Sequence, residues 1–169
     1  MNIYEFNRNA WNLQSMEGCR WSTPFDDEVF ARAKAGDWSV ILTPNRPVPE
    51  KWFPSFPGLD GVKLLALASG GGQQVPIFAA AGAEVTSFEG SDVQLQKDEE
   101  TCERNGLKTE LVHGDMADLS CFADESFDLI FNPVSNVFAA DLQPIWNECA
   151  RMLKPGGRLL WGFMNPAFF

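Results

Sequence analysis

The chain has 169 residues, 45% of them hydrophobic, and carries 23 acidic against 13 basic residues for a formal net charge of −10. Length and apolar content suit one domain with its own core and exclude a disordered chain. The acidic balance argues against a nucleic-acid partner, which requires clustered lysine and arginine, and no apolar run is long enough to span a bilayer.

The amino-terminal MNIYEFNRNAWNLQ is polar and aromatic, without the apolar stretch of a secretory signal, so a cytoplasmic location is expected. Residues 1–60 read as a cap or lid segment and residues 61–169 as the core. The cap holds Trp11, Trp21, Trp38 and Trp52. A helix is predicted near Asp26–Ala35, with Thr23 or Asp26 as its cap and Gly36 as its stop. The proline-rich LTPNRPVPEKWFPSFPG is predicted to lie extended over another surface.

From Val62 the pattern alternates between strands and helices. VKLLALA reads as a buried strand and Gln73–Ala81 as a helix ended by Gly82. EVTSF is a second strand, and Ser91-x-x-Gln94 opens a helix that runs to Asn105-Gly106. TELVH and SFDLIFN are the next strands. Asp141 can cap a helix reaching Leu153, with Ile145, Trp146, Cys149, Met152 and Leu153 on one stripe. Lys154-Pro-Gly-Gly157 stops it, and RLLWGF is a fifth strand. Strands separated by helices pair in parallel through right-handed crossovers, so an α/β fold with a doubly wound, mostly parallel sheet is predicted. Ligands of such sheets bind beyond the carboxyl ends of the strands.

The cysteines, Cys19, Cys102, Cys121 and Cys149, show no C-x-x-C spacing, and His113 is the sole histidine. No metal site is expected, and the thiols read as buried and reduced.

The first strand leads into Ala68-Ser69-Gly70-Gly71-Gly72-Gln73-Gln74. Glycines at a strand-to-helix turn let the backbone approach a ligand, whose partners would be free N–H groups. A tight turn without ligand would look the same. A P-loop is excluded because the loop has no lysine. A dinucleotide fingerprint is met by Gly70 and Gly72 but broken by Val75 at its third position. S-adenosylmethionine, which has a sulfonium and no phosphate, suits a loop without basic residues. Glu89 ends the second strand, where a carboxylate can accept both ribose hydroxyls or simply lead a helix in solvent. After the third strand, Asp115 can accept an adenine amine or cap the following turn.

Together, LLALASGGGQQ, EVTSFEGS, HGDMADL, ESFDLIFNPVSNVF and WNECARMLKPGGRLLWGF, spread over Val62–Phe163, resemble the class I (Rossmann-like) S-adenosylmethionine-dependent methyltransferases. SGGGQQ and the preceding VPEKWFP resemble a bacterial subfamily with small-molecule acceptors. The resemblance implies S-adenosyl-L-methionine as cofactor and a small-molecule methyl acceptor. It implies that Ala68, Ser69, Gly70 and Gly72 line the methionine portion, with Gln74 nearby, and that Glu89 binds the ribose. It implies that Gly90 and Ser91 flank the adenine, that Asp115 takes its amine and that Met116 packs on its ring. Asn132 would lie near the amino group and the methyl-transfer site, with Val134 beside it. No catalytic base is implied, and His113 is not expected to be one. Trp21, Trp38 and Trp52 would either close over the cofactor or acceptor or form a satellite hydrophobic cluster.

The chain departs from the family at three points. Ala66 stands where an acidic residue is common, and Ala68 where the loop's first glycine is common. The third is length: the chain stops at NPAFF, without the family's last helix and antiparallel strands. A truncated, proteolysed or fragmentary product is expected, with the fifth strand as an apolar edge through which a homodimer could pair. Two other readings are a non-catalytic S-adenosylmethionine-binding protein or fragment and an NAD(P)-linked oxidoreductase.

Overall fold

The computed structural model describes residues 2–44 and 46–163. The terminal NPAFF therefore lies outside the described residues. The chain opens with a helix that the sequence reading did not anticipate, α1 (Ile3–Met16). Asn2 caps it by accepting from the Tyr4 N–H at 3.0 Å, and Glu5 lies in its positive first turn. At its end the Gly18 N–H returns to the Ser15 carbonyl and the Cys19 N–H to that of Gln14, a Schellman closure. Helix α2 (Asp27–Lys34) follows near its predicted place. A short antiparallel pair, β1 (Ile41–Thr43) and β2 (Arg46–Pro47), interrupts the proline-rich stretch.

The core alternates as predicted: β3 (Lys63–Leu67), α3 (Gln74–Ala80), β4 (Glu84–Glu89), α4 (Asp92–Arg104), β5 (Thr109–His113), β6 (Phe127–Asn132), α5 (Gln143–Met152) and β7 (Leu153–Trp161). The sheet runs β5-β4-β3-β6-β7, and every neighbouring pair is parallel. Among the described residues no antiparallel strand joins it. The chain reverses its winding direction between β3 and β6, the switch point at which a crevice opens. Between α5 and the main run of β7, Lys154-Pro-Gly-Gly157 forms an excursion: Leu153 pairs with Phe127, and pairing resumes at Arg158 with Leu129.

Alternating side chains serve two cores. Leu64, Ala66, Leu129 and Phe131 pack beneath α3 with Phe30, Val75 and Phe78. Leu65, Leu67 and Ile130 face Ile145, Cys149 and Met152 of α5. The proline-rich stretch lies against the first core, where Val48 and Phe53 are buried. Trp38 belongs to that core, edge-on to Phe53 and Phe78, with its indole N–H donating to the Pro57 carbonyl at 2.7 Å. Trp52 is largely exposed beside Trp146 and Trp161 near β7. The thiols are not uniformly buried. Cys102 and Cys149 are, and burial pushes their pKa up to about 11 and about 12, whereas Cys121 is exposed.

Candidate functional site

A cavity of about 840 Å³ opens at the carboxyl ends of β3, β4, β5 and β6. Its wall includes Ala68, Ser69, Gly70 and Gln74 after β3, Glu89, Gly90 and Ser91 after β4, Asp115 and Met116 after β5, and Val134 after β6. Gly72 and Asn132, the other residues nominated from sequence, lie behind the wall. Asn132 is fully buried; its amide donates to the Leu67 carbonyl at 2.9 Å and its oxygen accepts from the Ser135 hydroxyl at 3.0 Å. It thereby ties the end of β3 to the loop after β6. Gly72 has φ +76°, and a Cβ there would lie 2.7 Å from Thr101 Oγ1 and 2.8 Å from Pro24 Cβ. It is glycine for packing as well as for conformation.

Glu89 is the centre of the wall. It is only 7% exposed, and burial raises its pKa against the opposing pull of neighbouring N–H groups. Its two oxygens accept separately from the N–H groups of Gly70 at 3.1 Å and Ser91 at 3.0 Å. Each carboxylate oxygen can accept a further bond. Asp115 makes the turn contact of one sequence reading, one oxygen accepting from the Ala117 N–H at 3.0 Å, and it also lines the cavity. Ala68 begins the glycine loop at φ +49°, a conformation that costs a residue with a Cβ.

The helix that forms the opposite wall was not foreseen from sequence, although residues 1–60 were expected to form a cap. Helix α1 supplies Tyr4, Asn7, Arg8 and Trp11 to the lining. Arg8 grips Asp92 with two bonds of 2.7 and 3.0 Å, and Asn12 adds a third at 3.0 Å. These partners lower the Asp92 pKa to about 2. Across the mouth, the Asn7 amide donates to the Phe138 carbonyl at 2.7 Å and Trp11 meets the Phe138 ring edge-on at 5.3 Å. The sequence signal for this helix was Asn2 with Glu5 three residues later, a capping pattern. Of Trp21, Trp38 and Trp52, only Trp21 lines the cavity, with the Arg20 guanidinium 4.1 Å above its ring. His113 Nε2 sits 3.1 Å from the Gly90 carbonyl and 3.3 Å from the Tyr4 hydroxyl, so it braces the wall.

Behind the glycine loop lies another residue that the sequence did not reveal. Asp98 of α4 is fully buried. One of its oxygens accepts from the N–H groups of Gly71 at 3.1 Å and Gly72 at 2.7 Å, and the other accepts from the Ser87 hydroxyl at 2.8 Å. Burial is the main cause that raises its pKa to about 7. The next residue back, Lys97, donates to the carbonyls of Ser15 and Ser22 at 2.6 Å each. Helix α4 thus holds the loop with one side chain and the amino-terminal segment with its neighbour.

The cavity is chemically divided. Glu89 and Asp115 are on the β4 and β5 side, and the nearby Arg8 is neutralised by Asp92. The other side, with Ile41, Leu42, Pro44, Val134, Val137 and Phe138, presents no ionisable group among these residues.

A parallel sheet in this order, a glycine loop after β3 and acids after β4 and β5 define a class I (Rossmann-like) methyltransferase fold. Residues 65–161 match the family described as the methyltransferase domain, and the chain belongs to it. It is 47% identical over 163 residues to the uncharacterized methyltransferase YbaJ of Bacillus subtilis, covering 96% of this chain and 63% of that protein. It is 35% identical over 101 residues to sterol 24-C-methyltransferase erg6 of Aspergillus fumigatus, covering 58% of this chain and 26% of that one. The fold matches that of CrArsM, an arsenic (III) S-adenosylmethionine methyltransferase from Chlamydomonas reinhardtii, with a TM-score of 0.58 and 21% identity over 80% of this chain and 48% of that one. The chain thus spans less than two thirds of the length of these relatives. Among the described residues no helix is long and apolar enough to cross a membrane.

Proposed function

We propose that the cavity binds S-adenosyl-L-methionine and that the protein transfers its methyl group to a small-molecule acceptor, with residues 1–60 acting as a cap over the core. The observation that carries this reading is the buried Glu89 carboxylate sharing one cavity with the glycine loop, Asp115 and Met116. The lining residues fit the cofactor. The Ser69 hydroxyl is buried on the wall without a hydrogen-bond partner, and a Cβ on Gly70 would come 3.0 Å from Glu89 Cγ. The loop therefore holds a buried hydroxyl without an internal partner, and at Gly70 it has little room for a side chain.

Bound there, the cofactor supplies a methyl group already activated by its sulfonium. Glu89 would accept from the ribose hydroxyls, and Gly90 and Ser91 would flank the adenine. Asp115 would accept the adenine amine, with Met116 against the ring. Ala68, Ser69, Gly70 and Gln74 would line the methionine portion, with Gly72 fixing the loop from behind. Asn132 would act by holding the β6 loop, which carries Val134 toward the acceptor. Trp11 and Phe138 close the mouth and exclude water, which favours a transfer in which charge disperses. The uncharged side at Ile41, Leu42 and Phe138 suits a neutral, largely apolar acceptor, in keeping with the sterol methyltransferase among the relatives.

Calorimetric titration tests the reading. S-adenosylmethionine and S-adenosylhomocysteine should both bind, NADH should not, and Glu89→Ala should weaken both by about tenfold or more. A folded protein indifferent to both sulfur compounds would refute it, and binding of NADH instead would favour an oxidoreductase.

A further inference from the structure

We propose that Asp98 is a positioning residue for the cofactor: it fixes the glycine loop from behind and places a negative charge there that favours the sulfonium donor over its neutral product. This rests on the cofactor reading above. The geometry supports it at three points. The carboxylate is fully buried, yet its three bonds come from uncharged donors, two loop N–H groups and one hydroxyl, and among the described residues no side-chain cation bonds to it. It lies close behind the cavity wall: a Cβ on the wall residue Gly70 would lie 3.3 Å from Asp98 Oδ2. Finally, Ser87, its hydroxyl partner, is the β4 neighbour of Ala66 on β3. The carboxylate from α4 thus sits beside the strand position where the sequence puts alanine.

A charge in a dry site with uncharged partners is costly unless a cation arrives to offset it. S-Adenosylmethionine brings a sulfonium, and S-adenosylhomocysteine a neutral thioether. The ligand amino group is common to both, so the difference in their affinities isolates the sulfonium. The carboxylate that loses its proton near pH 7 would strengthen this preference as pH rises through that value. The ionisable groups around it are few. Glu89 faces it from β4, with His113 of β5 beyond, and Cys102 lies on α4 itself. Lys97 is turned to the Ser15 and Ser22 carbonyls, and α3 carries no ionisable residue.

The test is a pair of Kd values, for donor and product, on the wild-type chain and on Asp98→Asn. Asparagine keeps an oxygen for the loop N–H groups and an amide for Ser87, so shape is retained and charge removed. At pH 8 the variant should bind S-adenosylmethionine about tenfold more weakly while its affinity for S-adenosylhomocysteine stays within about twofold. Equal changes in both would overturn the proposal in favour of a structural role. As a measurement independent of the variant's folding, the wild-type preference for donor over product should fall between pH 8 and pH 6. A preference flat over that range would also overturn it. Should the wild type bind neither compound, the cofactor reading itself falls, an outcome distinct from binding without discrimination.

Discussion

Two side chains at the loop after β3, Asp98 and Ala68, each have a measurable cost. Asp98 titrates near pH 7 when folded, against an ordinary value of 3.8. Because the folded value is raised, the protonated form is favoured in the native state. Its contribution is most favourable below 3.8, declines as pH rises and is lost above about 7. Asp98→Asn, neutral throughout, should therefore melt higher than the wild type at pH 8 by about 3 °C or more, with the gap narrowing toward pH 5. Thermal melts at both pH values check this. Ala68, at φ +49°, is the second case. Ala68→Gly should be neutral to stabilising, by at most about 1 kcal/mol, since relief of the left-handed strain outweighs the added unfolded-state entropy. Denaturant midpoints would measure it. Glu89 and Asp115 were legible in the sequence as cavity residues because each lies at or just past the end of a predicted strand, where ligands of parallel sheets collect. Asp98 was not. It lies within QLQKDEETCER, where acids are expected on a solvated helix face, and only the packing of α4 against β4 and the loop turns it inward.

At the scale of elements, the five strands and the helices α2 to α5 follow from hydrophobic runs, caps and glycine stops. Helix α1 did not, because its apolar residues do not mark one buried face: Ile3, Phe6, Leu13 and Met16 remain exposed. Its stability comes from tertiary anchors instead, the Arg8–Asp92 pair and the contact of Trp11 with Phe138. The short β1–β2 pair was hidden by proline density, which reads as extended chain without pairing. An ion pair whose partners are each about 40% exposed adds little to global stability. Arg8→Ala should thus leave the melting temperature within about 2 °C of the wild type. It should nonetheless free α1, so that α1 amides exchange with deuterium faster than those of β3 and β4. Hydrogen-exchange mass spectrometry would show this. The Asp92 side of the pair persists to low pH, since its folded value near 2 places the loss of the interaction below the range of an ordinary carboxylate.

For the whole molecule, the parallel, doubly wound sheet was implied by strands alternating with helices, while its order, which puts the crevice between β3 and β6, came from the structure. The cavity's second wall is not legible in the sequence, because α1 reaches it across some 80 residues of chain, from Arg8 to Asp92. A ligand that bridges the two walls should stabilise the native state as a unit. At a concentration about 100 times its Kd, S-adenosylhomocysteine should add about 2.7 kcal/mol and raise the melting temperature by roughly 5–10 °C. A scanning fluorimetry series in ligand concentration would reveal this.

The neighbouring positions Lys97 and Asp98 bear on how such a protein could be redesigned. One residue grips the carbonyls of Ser15 and Ser22, and the next grips the amides of Gly71 and Gly72. Any attempt to graft a foreign amino-terminal segment onto this scaffold would have to transplant the α4 segment with it, as a single cassette. Exchanging that segment alone would leave an ammonium group without its acceptors one residue from the acid that sets the shape of the bend.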